Sequence, residues 1–190
     1  MIESDSTLKR NVMEPVSFMR QTFQCIQYSS DTYELIFTME EKGFVPAHYH
    51  PFMDELFEIS EGQGEFIVDG VKTSAKPGDT IIVKRGVVHS LKTTSQGPMT
   101  CRVVYSPCSD THKMFAILGG LKLDGNKGSA LIFKGEYLNR KAKLETFSKS
   151  AGAMGAIENA IMSIVMLYGN LRGWHRLLPK YLGEQHESQS

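Results

Sequence analysis

The sequence predicts a mainly β protein, a sandwich or barrel of short strands followed by C-terminal α-helices. Three observations predict it. Before Pro107, short runs rich in Val, Ile, Phe, Tyr and Thr alternate with Gly, Pro and Asp. Asp69-Gly70 sits between two such runs and suits a tight hairpin, whose central residues take positive φ. Beyond Pro107 the apolar spacing changes from two residues to three and four, the period of a helix face.

The strand runs fall at 33–39, 56–60, 66–68, 80–83, 88–93 and 100–105. Many short strands with regular turn signals belong to sandwiches and barrels. A short helix is expected at 114–121, ended by Gly119-Gly120, and a strand at 130–133. From residue 142 onward the composition is helical. Ala153, Ile157, Ala160, Ile161, Ile164, Val165 and Tyr168 share one face of a helix, with Met154 on the same arc. Such a helix, nearly free of charge, is expected to bury that face on its own barrel or on a partner chain. Leu171, Trp174, Leu177, Leu178 and Tyr181 continue the pattern, and Pro179 is expected to break or kink the last turn. The expected units are an N-terminal arm at 1–14, a β-barrel at 15–108, a mostly helical extension at 109–183 and a disordered tail at 184–190.

Composition narrows the function classes. The chain has 190 residues, and 21 basic side chains balance 21 acidic ones. No overall field draws it toward nucleic acid, and no run of basic residues interleaved with aromatics marks a nucleic-acid surface. Three cysteines without a CxxC pair do not make a disulfide framework. The first thirteen residues lack the apolar stretch of a signal peptide, and no run reaches the roughly 18–20 apolar residues of a spanning helix. The cytoplasm is the expected location. The stretch 172–182 mixes Arg172, Arg176 and Lys180 with apolar residues, a pattern that can lie on an anionic membrane surface. A core-packed terminal helix with a solvated basic face is the favoured reading of it.

The chemistry concentrates in two segments. In the first, His48 and His50 share one face of an extended strand while Tyr49 points away, so two imidazoles can reach one ion. Pro51 ends that run, and Glu55 begins the next strand with Phe57 and Ile59 at the same parity. A lone carboxylate in an apolar row is costly to desolvate, and a cation removes the cost. The second segment runs from Pro77-Gly78-Asp79 through a buried strand and the Arg85-Gly86 turn to His89. Three imidazoles and one carboxylate suit one divalent transition metal ion, Fe, Mn, Ni, Cu or Zn, better than Ca or Mg. Four such ligands around an octahedral ion would leave two positions for water, oxygen or substrate.

These segments resemble the paired motifs of the cupin superfamily: Gly43, His48, His50, Glu55 and Gly62, then Gly78, Gly86 and His89. The resemblance spans 16–106. The sequence departs from it in a short gap between Gly43 and His48, in Lys84 where Pro is usual, and in Thr93 where Asn is frequent; none of these removes a ligand. The resemblance implies a double-stranded β-helix, a metal held by His48, His50, Glu55 and His89, and a homodimer. It also implies dioxygenase, isomerase, decarboxylase or lyase chemistry on a small organic molecule. By strand parity, Phe57, Phe66 and Leu91 are expected apolar walls of the ligand pocket. A non-catalytic ligand-binding or sensor protein is the alternative, as is a membrane-surface or partner-docked protein working through its C-terminal helix. His112, His175 and His186 lie outside the motifs and are read as structural. Cys101 and Cys108 are read as packing residues.

Overall fold

Eleven strands and five helices make up the described part of the chain, residues 2–145, 149–150 and 153–183 of a computed structural model. The strands are β1 (Val16–Phe18), β2 (Gln21–Tyr28), β3 (Tyr33–Met39), β4 (Phe44–Tyr49), β5 (Asp54–Glu61) and β6 (Gly64–Val68). They continue with β7 (Val71–Ala75), β8 (Thr80–Val83), β9 (His89–Thr93), β10 (Met99–Ser106) and β11 (Lys149–Ser150). All pair antiparallel, in two sheets of order β1-β2-β3-β10-β5-β8 and β11-β4-β9-β6-β7. Alternation decides which side of each strand is covered. In β10, Met99, Cys101, Val103 and Tyr105 are buried, while the residues between them are only partly covered. In β3, Tyr33, Leu35, Phe37 and Met39 bury the matching parity. The two inner faces meet in one core.

The expected barrel is corrected in one respect. Among the described residues no strand pairing joins the two sheets, so the fold is two facing sheets rather than a closed barrel. Asp69-Gly70 makes the expected hairpin, with both residues at positive φ between β6 and β7.

The helical elements depart further from the sequence reading. The N-terminal arm forms a helix, α1 (Ile2–Met13), with Asn11 and Val12 buried. The helix expected at 114–121 is α2 (Thr111–Leu123) and runs straight through Gly119-Gly120. Those glycines are points of close approach: a methyl on Gly119 would lie 2.0 Å from the Asn11 carbonyl oxygen, and one on Gly120 2.4 Å from the Tyr181 ring. The strand expected at 130–133 belongs instead to α3 (Gly128–Lys141). It packs on α2, where Gly135 accepts the Leu118 side chain. Tertiary burial of Leu131, Tyr137 and Leu138 overrides the local β preference.

The long helix is α4 (Ala153–Leu171). Of the two covers expected for its apolar face, the protein's own core supplies little: Met162 is buried and Val165 and Met166 pack against the core, while Ile157, Ile161, Ile164 and Tyr168 are exposed. The positions of the Ala153 and Met154 side chains lie outside what is described. Pro179 does not break the final helix but starts one, in the first turn of α5 (Leu178–Leu182) after a 3₁₀ turn at Trp174–Leu177. Tyr181 is buried under α2, which bears out the core-packed reading of this segment. The tail at 184–190 and His186 lie outside the described residues.

Candidate metal centre

His48, His50, Glu55 and His89 come together from both sheets and the link between them. β4 ends at Tyr49, so His50 stands in the short connection to β5, and Glu55 is the second residue of that strand. His48 lies opposite His89 in the β4–β9 ladder, after a bulge between Val45 and His48. Pro46 falls in that bulge, where a missing N–H costs nothing. One ligand atom from each of the four lies within 4.8 Å of every other. His50, Glu55 and His89 are buried, and His48 is half-buried.

The hydrogen bonds fix which atoms carry protons. His48 Nδ1 is 2.8 Å from the Pro46 carbonyl oxygen, and His89 Nδ1 is 3.1 Å from that of Val87. A carbonyl only accepts, so each Nδ1 carries a proton, and in the form that binds a cation each Nε2 offers a lone pair. His89 Nε2 lies 2.9 Å from Glu55 Oε2, yet it is buried and without a hydrogen bond. His50 Nε2 lies 3.0 Å from the same oxygen. Lone pairs on His48, His89 and Glu55 then face one another, an arrangement that a shared cation relieves. The residues fit a metal ion by this test.

Electrostatics agree with the geometry. Burial, helped by the neighbouring His89, lowers the His48 pKa to about 4, so its ring is neutral at physiological pH. Burial alone would raise Glu55, but its contacts with the neighbouring histidines, led by the His50 hydrogen bond, outweigh it and hold the carboxyl below its ordinary range.

Sequence reasoning missed three supports. Tyr105 is the cross-strand partner of Glu55, and its hydroxyl donates a hydrogen bond to the Glu55 carboxylate. Burial and then the Glu55 charge push the phenol far up, so it stays a donor. The parity of Cys101, Val103 and Tyr105 could have marked it as inward. Asp54, beside Glu55, accepts from the Arg85 backbone N–H and from the Lys84 and Arg85 side chains at 3.0–3.1 Å. The Arg85 backbone bond, then the lysine and arginine, hold its pKa at about 2 against the opposing effect of burial. Lys84, the departure from the motif, thus ties the β8–β9 turn to the ligand-bearing loop. Gly86 N–H adds a bond of 2.8 Å to the His50 carbonyl.

The remaining sequence candidates sort simply. Phe57, Phe66 and Leu91 are all buried, with Phe57 and Phe66 edge to face at 5.2 Å. His112 stacks on Tyr28 and lies 3.5 Å from Cys108 Sγ, away from the cluster. His175 meets the Tyr137 hydroxyl. Burial, then the Glu55 charge, raises the Cys101 thiol, and burial raises Cys108, as expected for packing residues.

Two facing antiparallel sheets with a His/His/Glu/His cluster between them define a double-stranded β-helix protein able to hold a metal ion. The chain carries a cupin domain: residues 35–105 match the family model described as "Cupin domain". A 63-residue stretch is 33% identical to an uncharacterized protein of Aquifex aeolicus (strain VF5), covering 33% of this chain and 51% of that one. The chain thus spans about half the length of that curated relative. Among solved structures, an RmlC-like cupin from Shewanella frigidimarina NCIMB 400 matches at TM-score 0.47 and 18% identity, over 50% of this chain and 84% of the other. KdgF from Halomonas sp. matches at 0.46 and 16%, over 48% and 83%. The polyketide cyclase RemF from Streptomyces resistomycificus matches at 0.42 and 19%, over 46% and 65%.

Proposed function

We propose that this protein is a metal-dependent enzyme of the oxygenase, isomerase or lyase type that acts on a small organic molecule, and that it works in the cytoplasm as a homodimer. Residues 15–108 form the ligand-binding unit, and 109–183 are its helical extension. The observation that carries the reading is the cluster of lone pairs on His48, His89 and Glu55, fixed by backbone acceptors behind the two rings. His48, His50, Glu55 and His89 would hold one divalent ion of Fe, Mn, Ni, Cu or Zn. Such an ion supplies Lewis acidity or an oxygen-activating centre.

The chain's own residues do the rest. The Pro46 and Val87 carbonyls keep the His48 and His89 rings in one tautomer, so neither Nε2 needs to shed a proton before it donates. Tyr105 bonds the Glu55 carboxylate and holds it in a dry place. Phe57, Phe66 and Leu91 exclude water and present an apolar wall to the substrate, which strengthens the polar contacts beside it.

The test is elemental analysis of purified protein together with its His50→Ala and Glu55→Gln variants. About one ion per chain is expected in the wild type and almost none in either variant. Turnover or oxygen consumption is then measured against catechols, thiols, keto acids and sugars. A wild-type protein that takes up no transition metal after reconstitution would end the proposal; a loaded protein that binds a panel member without converting it would make it a ligand-binding cupin instead.

A further inference from the structure

The helix α4 has two apolar sides, and the fold uses one. The inward side is made by Met162, Val165, Met166 and Gly169, whose spacing of three, one and three residues is that of a buried helix stripe. It packs on α3 and the 3₁₀ turn, with Gly169 so close to Tyr137 that a methyl there would lie 2.5 Å from the ring. The other side carries Ile157, Ile161, Ile164, Leu167, Tyr168 and Leu171, all exposed, Ile164 at 71% and Leu171 at 79%. At about 100° per residue, no polar side chain of 157–171 falls within the arc these six define.

We infer that a second copy of this chain covers that side, the two α4 helices packing against each other across a two-fold axis. The inference rests on the homodimer proposed above and names its surface. Ile157, Ile161, Ile164, Tyr168 and Leu171 are separated by four, three, four and three residues, the repeat of a seam made to receive another helix. A two-fold interface brings the same patch against itself, and this patch is self-complementary because it holds no charge to repel its copy. The one charged residue of the helix, Glu158, is taken up by Ser150. The six side chains expose on the order of 750 Å², near the ~800 Å² per partner of a standard interface and above the ~300–600 Å² patch usual on a monomer.

Other occupants fit less well. An anionic membrane surface selects helices with Lys or Arg along the flanks of the apolar face; Ala153–Leu171 contains none, and Arg172 adjoins only its last turn. No helix among the described residues is long and apolar enough to cross a membrane. The terminal residues 184–190, Glu-Gln-His-Glu-Ser-Gln-Ser, contain no apolar side chain with which to cover the patch.

Light scattering coupled to size exclusion tests this on the full-length chain at micromolar concentrations. The wild type is expected at twice the chain mass, Ile164→Glu at the single mass, and Ile82→Glu, on the exposed side of β8, at twice the mass. At least a tenfold rise in the dimer dissociation constant is expected for Ile164→Glu, with an unchanged circular dichroism spectrum. If Ile164→Glu fails to fold, Ile164→Cys with a bifunctional maleimide replaces it. Cross-linked dimers are then expected from Ile164→Cys and not from Ile82→Cys, the three native cysteines being buried. A wild type of single mass overturns both the surface and the homodimer. The same single mass with co-sedimentation on lipid vesicles assigns the face to membrane. A dimer that survives Ile164→Glu, whatever Ile82→Glu does, overturns the surface alone.

Discussion

Tyr105 shows how much of the site depends on a residue that is not a ligand. Its hydroxyl donates to Glu55, and its ring meets His50 edge-on at 5.5 Å between centroids. Removing the hydroxyl leaves the ring's packing intact and frees the carboxylate to rotate. Tyr105→Phe is therefore expected to weaken metal binding by about 10- to 100-fold, the usual cost of losing an outer hydrogen bond to a ligand. Competition titration with a chromophoric chelator reads this directly, and an unchanged melting temperature of the metal-free form would show that the fold is intact. Equal affinity of the two proteins would remove Tyr105 from the site. Asp54 acts one step further out, holding the Lys84-Arg85 turn against the loop that carries His50.

At the scale of elements, the informative feature is α2, held between α1 and α5 on a floor of glycine. Gly119→Ala would force α1 away from α2 and is expected to lower stability by about 1–3 kcal/mol, measured by urea unfolding. The neutral control is Gly97→Ala, where a methyl meets nothing within 4 Å. The α2–α5 contact is clamped by Asp124, which accepts from Lys180 Nζ at 2.6 Å and from the Tyr181 hydroxyl at 2.8 Å. Burial opposes the Asp124 charge, but these two bonds prevail and lower its pKa below the ordinary 3.8. A depressed carboxyl contributes stability above its unfolded value, and the contribution disappears as pH falls through the folded one. Asp124→Asn is thus expected to cost about 1 kcal/mol at neutral pH, limited by its partial exposure, and to flatten the acid limb below about pH 3.8. A variant whose acid limb matches the wild type would exclude this clamp.

At the scale of the whole molecule, the site joins the two sheets, between which no strand pairing runs among the described residues. Glu55 comes from one sheet, His48 and His89 from the other, and His50 from the link. An ion held by all four would therefore couple sheets otherwise connected through apolar packing. At a concentration of 100 times its dissociation constant, such a ligand adds about 2.7 kcal/mol. For a chain of this size that corresponds to a loss of roughly 5–10 °C in melting temperature on chelation. Differential scanning calorimetry with and without a chelator checks it, and a shift equal to that of His50→Ala would disprove the coupling. On the outer face of the first sheet, Arg102 pairs with the buried Glu34 and the exposed Glu58 across three strands.

The β half and its four ligand candidates were legible because both signals are local. Strand alternation and Gly/Asp turns are written in neighbouring residues, and the motif spacing puts His48, His50, Glu55 and His89 in order. The helical half was not, because its outcome depends on what touches what. Gly119-Gly120 reads as a stop until Asn11 and Tyr181 arrive from opposite ends of the chain to fill the space above them. Residues 130–133 read as a strand until burial of Leu131 on α2 makes them helical. α4 has apolar residues on two sides, and periodicity alone cannot say which meets the core; the fit of Gly169 against Tyr137 decides it. The sequence by itself determined the antiparallel β domain and the four candidate ligands. Only the tertiary structure decided that Tyr105 secures the carboxylate, that the sheets stay open and that the regular heptad side of α4 faces outward, because contacts between distant residues leave no local period to read.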